Sequence, residues 1–167
     1  SPGRKLRSLV NSSKFLLRLF SPDLETRLSG VKKCGDPPFL PDALSNLEEI
    51  SNNKNEDAKV RHTAKESMEL MILRGVVEGK KSIKDRVLAL EKLGNLKSLR
   101  ALARIEPLES AITALSTFKD YSKKEIKNFK KSISSVRTKI EGHKEKVKWS
   151  GNLFRGFSYG SVLILIA

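Results

Sequence analysis

Apolar residues recur at helical spacing through most of this chain. One stripe falls at i, i+3, i+4, i+7 and i+10 and consists of Leu40, Ala43, Leu44, Leu47 and Ile50. Three further stripes are Leu6, Leu9, Val10, Leu16, Leu17 and Phe20; Leu24, Leu28 and Val31; and Val60, Ala64, Met68, Met71 and Ile72. Such spacing places each set on one face of a helix. Because β-branched residues never alternate with polar ones for long, no strand is predicted, and the pattern predicts an all-α fold.

One arrangement of residues occurs twice. Residues Arg27–Leu40 and Arg86–Leu99 each begin with Arg, continue with apolar and Lys residues, and carry Gly-Asp or Gly-Asn five residues before a Leu. A short helix, a tight turn at Gly35 or Gly94 and a second helix with a Leu stripe is the layout of a HEAT-like repeat. The sequence predicts an α-solenoid fragment of two to three irregular helical pairs, with an irregular helical bundle as the alternative. The Leu residues expected to be buried are Leu44, Leu47, Leu99 and Leu102.

The two copies are 59 residues apart, whereas a HEAT period is roughly 40 residues. We therefore expect an extra or lengthened helix between them, around Met68 to Glu78. Pro37 and Pro38 follow Gly35-Asp36 and cannot continue a helix, so the second helix is expected to end there.

A different pattern occupies the last helical segment. Its apolar positions step by three and four residues without a break, as Ile126, Phe129, Ile133, Val136, Ile140, His143 and Val147. We name this set the seam. Its heptad-like spacing predicts one long amphipathic helix from about Ser122 to Lys148 that serves as a stalk. His143 is interpreted as a partly buried spacer, with a pH sensor as the alternative.

The chain closes on a purely apolar run, Val162 to Ala167, preceded by aromatic, Gly and Ser residues. A membrane-spanning helix needs about 20 apolar residues, and aromatic and small residues suit a membrane interface and close helix contacts. The run is either the start of such a helix or a short buried helix. Since Ser1 is not an initiator Met and the end is abrupt, we expect the chain to be part of a longer protein.

Two segments carry a family resemblance. Leu153 to Leu163 resembles the start of the first membrane helix in permeases of the branched-chain amino acid/urea class of ABC importers. The residues of this membrane motif are Phe154, Gly156, Ser158, Gly160 and Ser161. Upstream, Phe15–Asp23, Arg27-Leu28, Gly35–Pro37 and Leu40–Leu44 resemble the helical-repeat extension that precedes the membrane part of the urea-type permease subunit, whereas residues 75–150 match only loosely.

The resemblance implies a permease subunit whose helical part is a non-catalytic docking or structural domain. The implied partners are ABC ATPase subunits, which bind the ATP, a second permease subunit, a soluble substrate-binding protein and membrane lipids. The implied location is the bacterial inner membrane, with the helical domain on the periplasmic side. The expected organisation is a HEAT-like domain over 1–118, a basic stalk helix over 119–150 and the start of the first transmembrane helix over 151–167.

Half of the net charge of +14 lies on the stalk segment. Between Lys119 and Lys148, eleven Lys and Arg face four Asp and Glu. Three interpretations are open: nucleic-acid binding, attraction to anionic lipid headgroups, or a plain solvated face. The few aromatics and the absence of a recognised motif argue against nucleic acid. The positive-inside rule would place the domain in the cytoplasm, but long domains translocate largely regardless of charge.

No residue pattern indicates catalysis. The two histidines, His62 and His143, belong to no metal-binding pattern, and no phosphate-binding Gly-rich loop is present. Cys34 is the sole cysteine and is interpreted as a small buried hydrophobe near a helix end. We expect no enzyme activity, no cofactor and no metal in this chain. The alternative function is that of a soluble, basic HEAT-like module that binds nucleic acid or a protein.

Overall fold

The computed structural model describes residues 13–14, 16–75, 82–115 and 122–164, with side chains of the last helix described as far as Lys148. Within these residues a 3₁₀ turn, Arg18–Phe20, is followed by α-helices, and there is no strand. The helices are α1 Leu24–Cys34, α2 Ala43–Asn52, α3 Ala58–Arg74, α4 Ile83–Asn95, α5 Leu99–Leu115 and α6 Lys123–Ile164. The predicted all-α fold is confirmed.

Short polar side chains begin four of these helices. In each case the side chain accepts a hydrogen bond from a backbone N–H two or three residues later, which satisfies a donor that the first turn leaves free. The capping residues are Asp23 of α1, Asp57 of α3, Ser82 of α4 and Ser122 of α6. At α6 the bond is reciprocal, because the Glu125 carboxylate accepts from the Ser122 N–H at 3.0 Å, which forms a capping box.

Two helix ends lie where the sequence predicts them. Helix α1 stops at Cys34, directly before Gly35-Asp36-Pro37-Pro38. Helix α3 ends at Arg74, directly before Gly75, whose φ of 69° lies in the left-handed region that favours glycine. At 17 residues, α3 is longer than α2, which has 10. The extra or lengthened helix expected around Met68 to Glu78, as a detail of the solenoid, stays a prediction. The end of that expected segment, 76–78, and the apolar positions Leu6, Leu9 and Val10 lie outside the described residues.

The predicted turn at Gly94-Asn95 is wrong. Helix α4 continues through both residues, and the chain turns two residues later, at Leu96–Lys97, where Lys97 has a φ of 54°. Gly94 is buried, and a Cβ atom added to it would lie 3.2 Å from Val136 Cγ1 of α6. Glycine at this position therefore permits close packing of α4 against α6 and does not make a turn.

Each helix packs on a neighbour, and together they enclose one hydrophobic core. Helix α3 contacts α1, α2 and α4, and α6 contacts α4 and α5. The first buried apolar side chain of this core along the chain is that of Leu19 and the last is that of Ile140, and all the helices contribute to it. A single contiguous core of this kind is what one compact domain buries. The finer HEAT-like solenoid arrangement stays a prediction.

Burial of the apolar stripes differs from prediction at several positions. Leu47 is fully buried and Leu44 and Leu102 are partly buried, but Leu99 is 52% exposed, so its predicted burial is wrong. Leu99 is the first residue of α5, and the inward positions of this helix are taken by Ala101 and Ile105. The direction of α5 decides which of its residues face inward. Hydrogen bonds from Ser98 and Arg100 to Glu66 of α3 set that direction.

The N-terminal stripe also shifts. Leu17 and Phe20 are 71% and 56% exposed, while Leu19 is 1% exposed. The chain changes here from α-helix to a 3₁₀ turn, which has 3.0 residues per turn instead of 3.6. This change in period turns Leu19 inward and Phe20 outward.

The C-terminal part forms one long helix, α6, over the span expected for the stalk, and its role as a stalk stays a prediction. Helix α6 runs without a turn at Ser132–Ser135, and the first five seam residues, from Ile126 to Ile140, are all buried. They pack on α4 and α5. His143 is half-buried and Val147 is 54% exposed. The seam therefore leaves the hydrophobic core after Ile140.

Candidate functional site

The start of α6 carries a run of exposed positive charge. We name it the lysine face, and it consists of Lys123, Lys124, Lys127, Lys130 and Lys131. None of these lysines forms an ion pair with another residue of the described part of the chain. The run contains one carboxylate, Glu125, and hydrogen bonds from Ser122 lower its pKa. The lysine face is therefore a concentrated positive surface available to an anionic partner.

Helix geometry explains why these lysines are exposed together. Lys124, Lys127 and Lys131 are three and four residues apart, which aligns them along one side of the helix. The seam of Ile126, Phe129 and Ile133 occupies another side, and its burial fixes the rotation of α6. Packing of the apolar seam thus directs the lysines into solvent.

A second basic cluster lies nearer the C-terminus of α6. It consists of Lys144, Lys146 and Lys148, all exposed, with Glu145 among them. The backbone of α6 continues from this cluster through the membrane motif, Phe154, Gly156, Ser158, Gly160 and Ser161, as far as Ile164. The side chains of the motif and residues 165–167 lie outside what the structure describes, so the role of the motif stays a prediction.

The two basic regions lie at different distances from the membrane motif. A helix rises 1.5 Å per residue, so Lys131 is roughly 30 Å along the axis from Asn152, whereas Lys148 is only about 6 Å away. Charges are screened over about 8–10 Å at physiological salt. If lipid headgroups lie near Asn152, the second cluster is close enough to attract them and the lysine face is not.

A network around Arg100 joins three helices, and sequence reasoning missed it. The Arg100 guanidinium donates to Glu66 Oε2 at 2.9 Å and Ser67 Oγ at 3.1 Å of α3, and to the Lys32 carbonyl of α1 at 2.6 Å. Ser98 Oγ donates to Glu66 Oε1 at 2.5 Å. These contacts fix the start of α5 on α1 and α3, and they explain why Leu99 faces solvent. The hydrogen-bond partners of Arg100 are far from it in the sequence, so no local sequence pattern predicts these contacts.

Beside this network, Cys34 is buried at the end of α1, as predicted. Burial raises the pKa of its thiol to about 12. A protonated thiol in an apolar setting is a poor nucleophile. No cluster of three or more His, Cys, Asp or Glu that could hold a metal ion occurs among the described residues.

Among the described residues, no helix contains a stretch long and apolar enough to span a bilayer. Comparison with models of protein families, with curated proteins and with solved structures finds no match to this chain. The resemblance to the importer permeases therefore rests on the motifs of the sequence.

Proposed function

We propose that this chain is a non-catalytic docking domain of a permease subunit in an ABC importer for urea, short amides or branched-chain amino acids. One observation carries the proposal. Helix α6 is continuous from its core-packed part to the segment that resembles the start of the first membrane helix. A continuous helix fixes the orientation of one of its ends relative to the other. The domain therefore has a defined position relative to the membrane that the C-terminal part of α6 would enter.

The attachment of α6 to the domain is strong in physical terms. Phe129, Ile133 and Ile140 are fully buried, and each buried side chain of this size contributes about 1.5–3 kcal/mol relative to exposure. The helix is thus held in the core over several turns. Beyond Ile140, the cluster of Lys144, Lys146 and Lys148 would lie beside anionic headgroups and add about 1 kcal/mol per lysine to their attraction.

In this proposal the domain lies on the periplasmic side of the bacterial inner membrane. The positive charge favours the cytoplasmic side, but the rule applies mainly to short loops. The ATPase subunits would supply ATP binding, and a soluble binding protein would deliver the substrate. The domain itself would contact that binding protein or the second permease subunit.

Cell fractionation tests the membrane part of the proposal. The gene is expressed with about thirty codons beyond Ala167, enough to complete a span of about 20 residues, and membranes are washed with carbonate. The expected product stays in the pellet until detergent is added. The matched control ends at Lys148, keeps the packed part of α6 and is expected in the supernatant. A longer product that carbonate releases would refute the permease proposal. Protease protection in spheroplasts then determines the side of the membrane.

A second candidate function is a basic module for an anionic polymer, and the position of the lysine face favours it. At roughly 30 Å from the membrane motif, these exposed lysines, which form no ion pair within the described part of the chain, are not explained by headgroups near Asn152. Binding of a fluorescent duplex measures this function. The change Lys127→Glu with Lys131→Glu is expected to abolish it, and the control pair Lys144→Glu with Lys146→Glu to weaken it less. Affinity that does not fall with salt would exclude this function, because phosphate contacts release counterions.

A further inference from the structure

A groove of about 370 Å³ lies between α2, α3 and α4, and no residue of the lysine face is among the described residues that line it. Its volume is within the range of about 300–1,000 Å³ that small-molecule sites occupy. Most of its wall is apolar, and the half-buried side chains of Met68 and Leu96 contribute to this wall. Covering apolar surface that is open to water is favourable. The groove therefore favours a ligand with an apolar body.

The polar groups that a ligand in the groove can contact are mostly hydrogen-bond donors. Lys65 is exposed and forms no ion pair within the described part of the chain. The side chain of Lys92 is 49% exposed and donates one hydrogen bond, to Glu69 Oε1 at 2.8 Å, so its ammonium group can still donate elsewhere. Asn95 accepts from Lys139 Nζ through its side-chain oxygen at 2.5 Å, which leaves its NH₂ group as a donor.

One of the two carboxylates at the groove is sealed from a ligand. The Glu69 side chain is only 4% exposed, so a molecule in the groove does not reach it, and its ion pair holds the Lys92 ammonium group at the wall. The other carboxylate, Glu48, is exposed and belongs to α2. Lys65 and Lys92 belong to α3 and α4. The α3–α4 side of the groove is therefore the side that attracts a negative group.

The end of α4 does not reverse this preference. Free carbonyls give a helix C-terminus a partial negative charge. The last carbonyls of α4 at this point already accept hydrogen bonds from the N–H groups of Leu96, Lys97 and Ser98. Helix α2 also ends at the groove, at Asn52, on the same side as Glu48. Negative charge is thus gathered on the α2 side and positive charge on the α3–α4 side.

We propose that this groove binds a single-chain anionic amphiphile, of which a medium-chain fatty acid is the simplest example. The carboxylate of the ligand accepts from Lys65, Lys92 and the NH₂ group of Asn95, and the alkyl chain covers Met68 and Leu96. Charge complementarity selects the anionic head group, and the apolar wall selects the alkyl chain. The inference rests on the groove alone and is independent of the proposed function.

NMR titration of the full chain tests this inference, with decanoate as the probe. We expect saturable amide shifts at groove residues such as Ser51, Asn52 and Leu96, with half-saturation near about 1 mM. Two analogues separate the contributions of the chain and the head group. Hexanoate keeps the carboxylate but covers less of the apolar wall, so it is expected to bind at least about tenfold more weakly. Decylammonium keeps the chain but reverses the charge, and it is also expected to bind at least about tenfold more weakly.

Variants of exposed residues locate the site without disturbing the core. Lys65→Met is expected to weaken decanoate binding about twofold to fivefold, the range of an exposed charge pair. Glu48→Gln removes the opposing carboxylate and is expected to strengthen binding about twofold, a gain that loss of structure would not produce. The control Lys127→Met, on the lysine face, is expected to leave the affinity unchanged, which separates a site from general attraction to a basic protein.

Circular dichroism establishes that each variant is folded. Four results would each overturn the inference. They are the absence of saturable shifts, shifts centred on the lysine face, an analogue that binds as tightly as decanoate, and unchanged affinity in both the Lys65 and the Glu48 variants.

Discussion

The contact between α4 and α6 is tested by one substitution made at two glycines. Gly94 of α4 is buried, and an added Cβ would lie 3.2 and 3.3 Å from the two methyl carbons of Val136. Gly142 of α6 is exposed, and an added Cβ would meet no atom within 4 Å. Both glycines lie within helices, so Gly→Ala lowers the backbone entropy lost on folding at each position. Only at Gly94 does the added methyl group also introduce a steric clash.

The magnitudes follow from this geometry. Alanine in place of glycine inside a helix stabilises by roughly 0.5–1 kcal/mol, which is the expected gain at Gly142. At Gly94 the new methyl lies closer to Val136 than the contact optimum of about 3.5–4.0 Å. Overpacking typically costs about 1–3 kcal/mol. The net expectation for Gly94→Ala is a loss between zero and about 2.5 kcal/mol.

A second change isolates the contact. Val136→Ala removes the two methyl groups and by itself costs about 2 kcal/mol. In that background the steric cost at Gly94 disappears, so Gly94→Ala is expected to gain up to about 1 kcal/mol. The change of sign is a coupling energy, which a double-mutant cycle measures.

Urea unfolding followed by circular dichroism gives each free energy of unfolding, provided that the slope against denaturant is unchanged. If Gly94→Ala stabilised the unmodified protein as much as Gly142→Ala does, α4 and α6 would not be in close contact. Strict additivity of the Gly94 and Val136 changes would refute the same point. Either result would remove the structural basis for placing the first half of α6 in the core.

Three further predictions concern other parts of the fold. Leu47→Ala is expected to lower the free energy of unfolding by about 2–5 kcal/mol, and Leu99→Ala by less than about 0.5 kcal/mol; equal effects in urea would contradict the observed burial. Cys34, with a pKa near 12, is expected to react with a disulfide reagent at pH 8 only after denaturation. The Glu125 pKa is lowered by its Ser122 hydrogen bonds, so its contribution to stability is complete above the unfolded value of about 4.3 and is lost as the pH falls through the lower folded value. An NMR titration midpoint at or above 4.3 for this carboxyl would contradict the capping box.

The sequence by itself determined the helices and several of their ends. The periodicity of Val60 to Ile72 and of the seam predicted α3 and α6, because the 3.6-residue period is a local property that the chain carries at every position. Gly75 and the Pro37-Pro38 pair ended helices as expected, since their backbone limits are also local. Burial of Cys34 was also predicted correctly, because cysteine is among the residue types most often buried.

Only the tertiary structure decided which face each helix buries and which charges meet. Gly94 was interpreted as a turn residue, although what it provides is space for Val136, 42 positions away on another helix. Leu99 was predicted to be buried, but Arg100 bonds the Lys32 carbonyl, 68 residues distant, and fixes α5 differently. The ion pair between Lys92 and Glu69, 2.8 Å apart on two different helices, likewise could not be predicted from the sequence. Local propensity acts within a few residues of the sequence. The features above depend on distances between helices, and those distances are set only when the helix faces pack together.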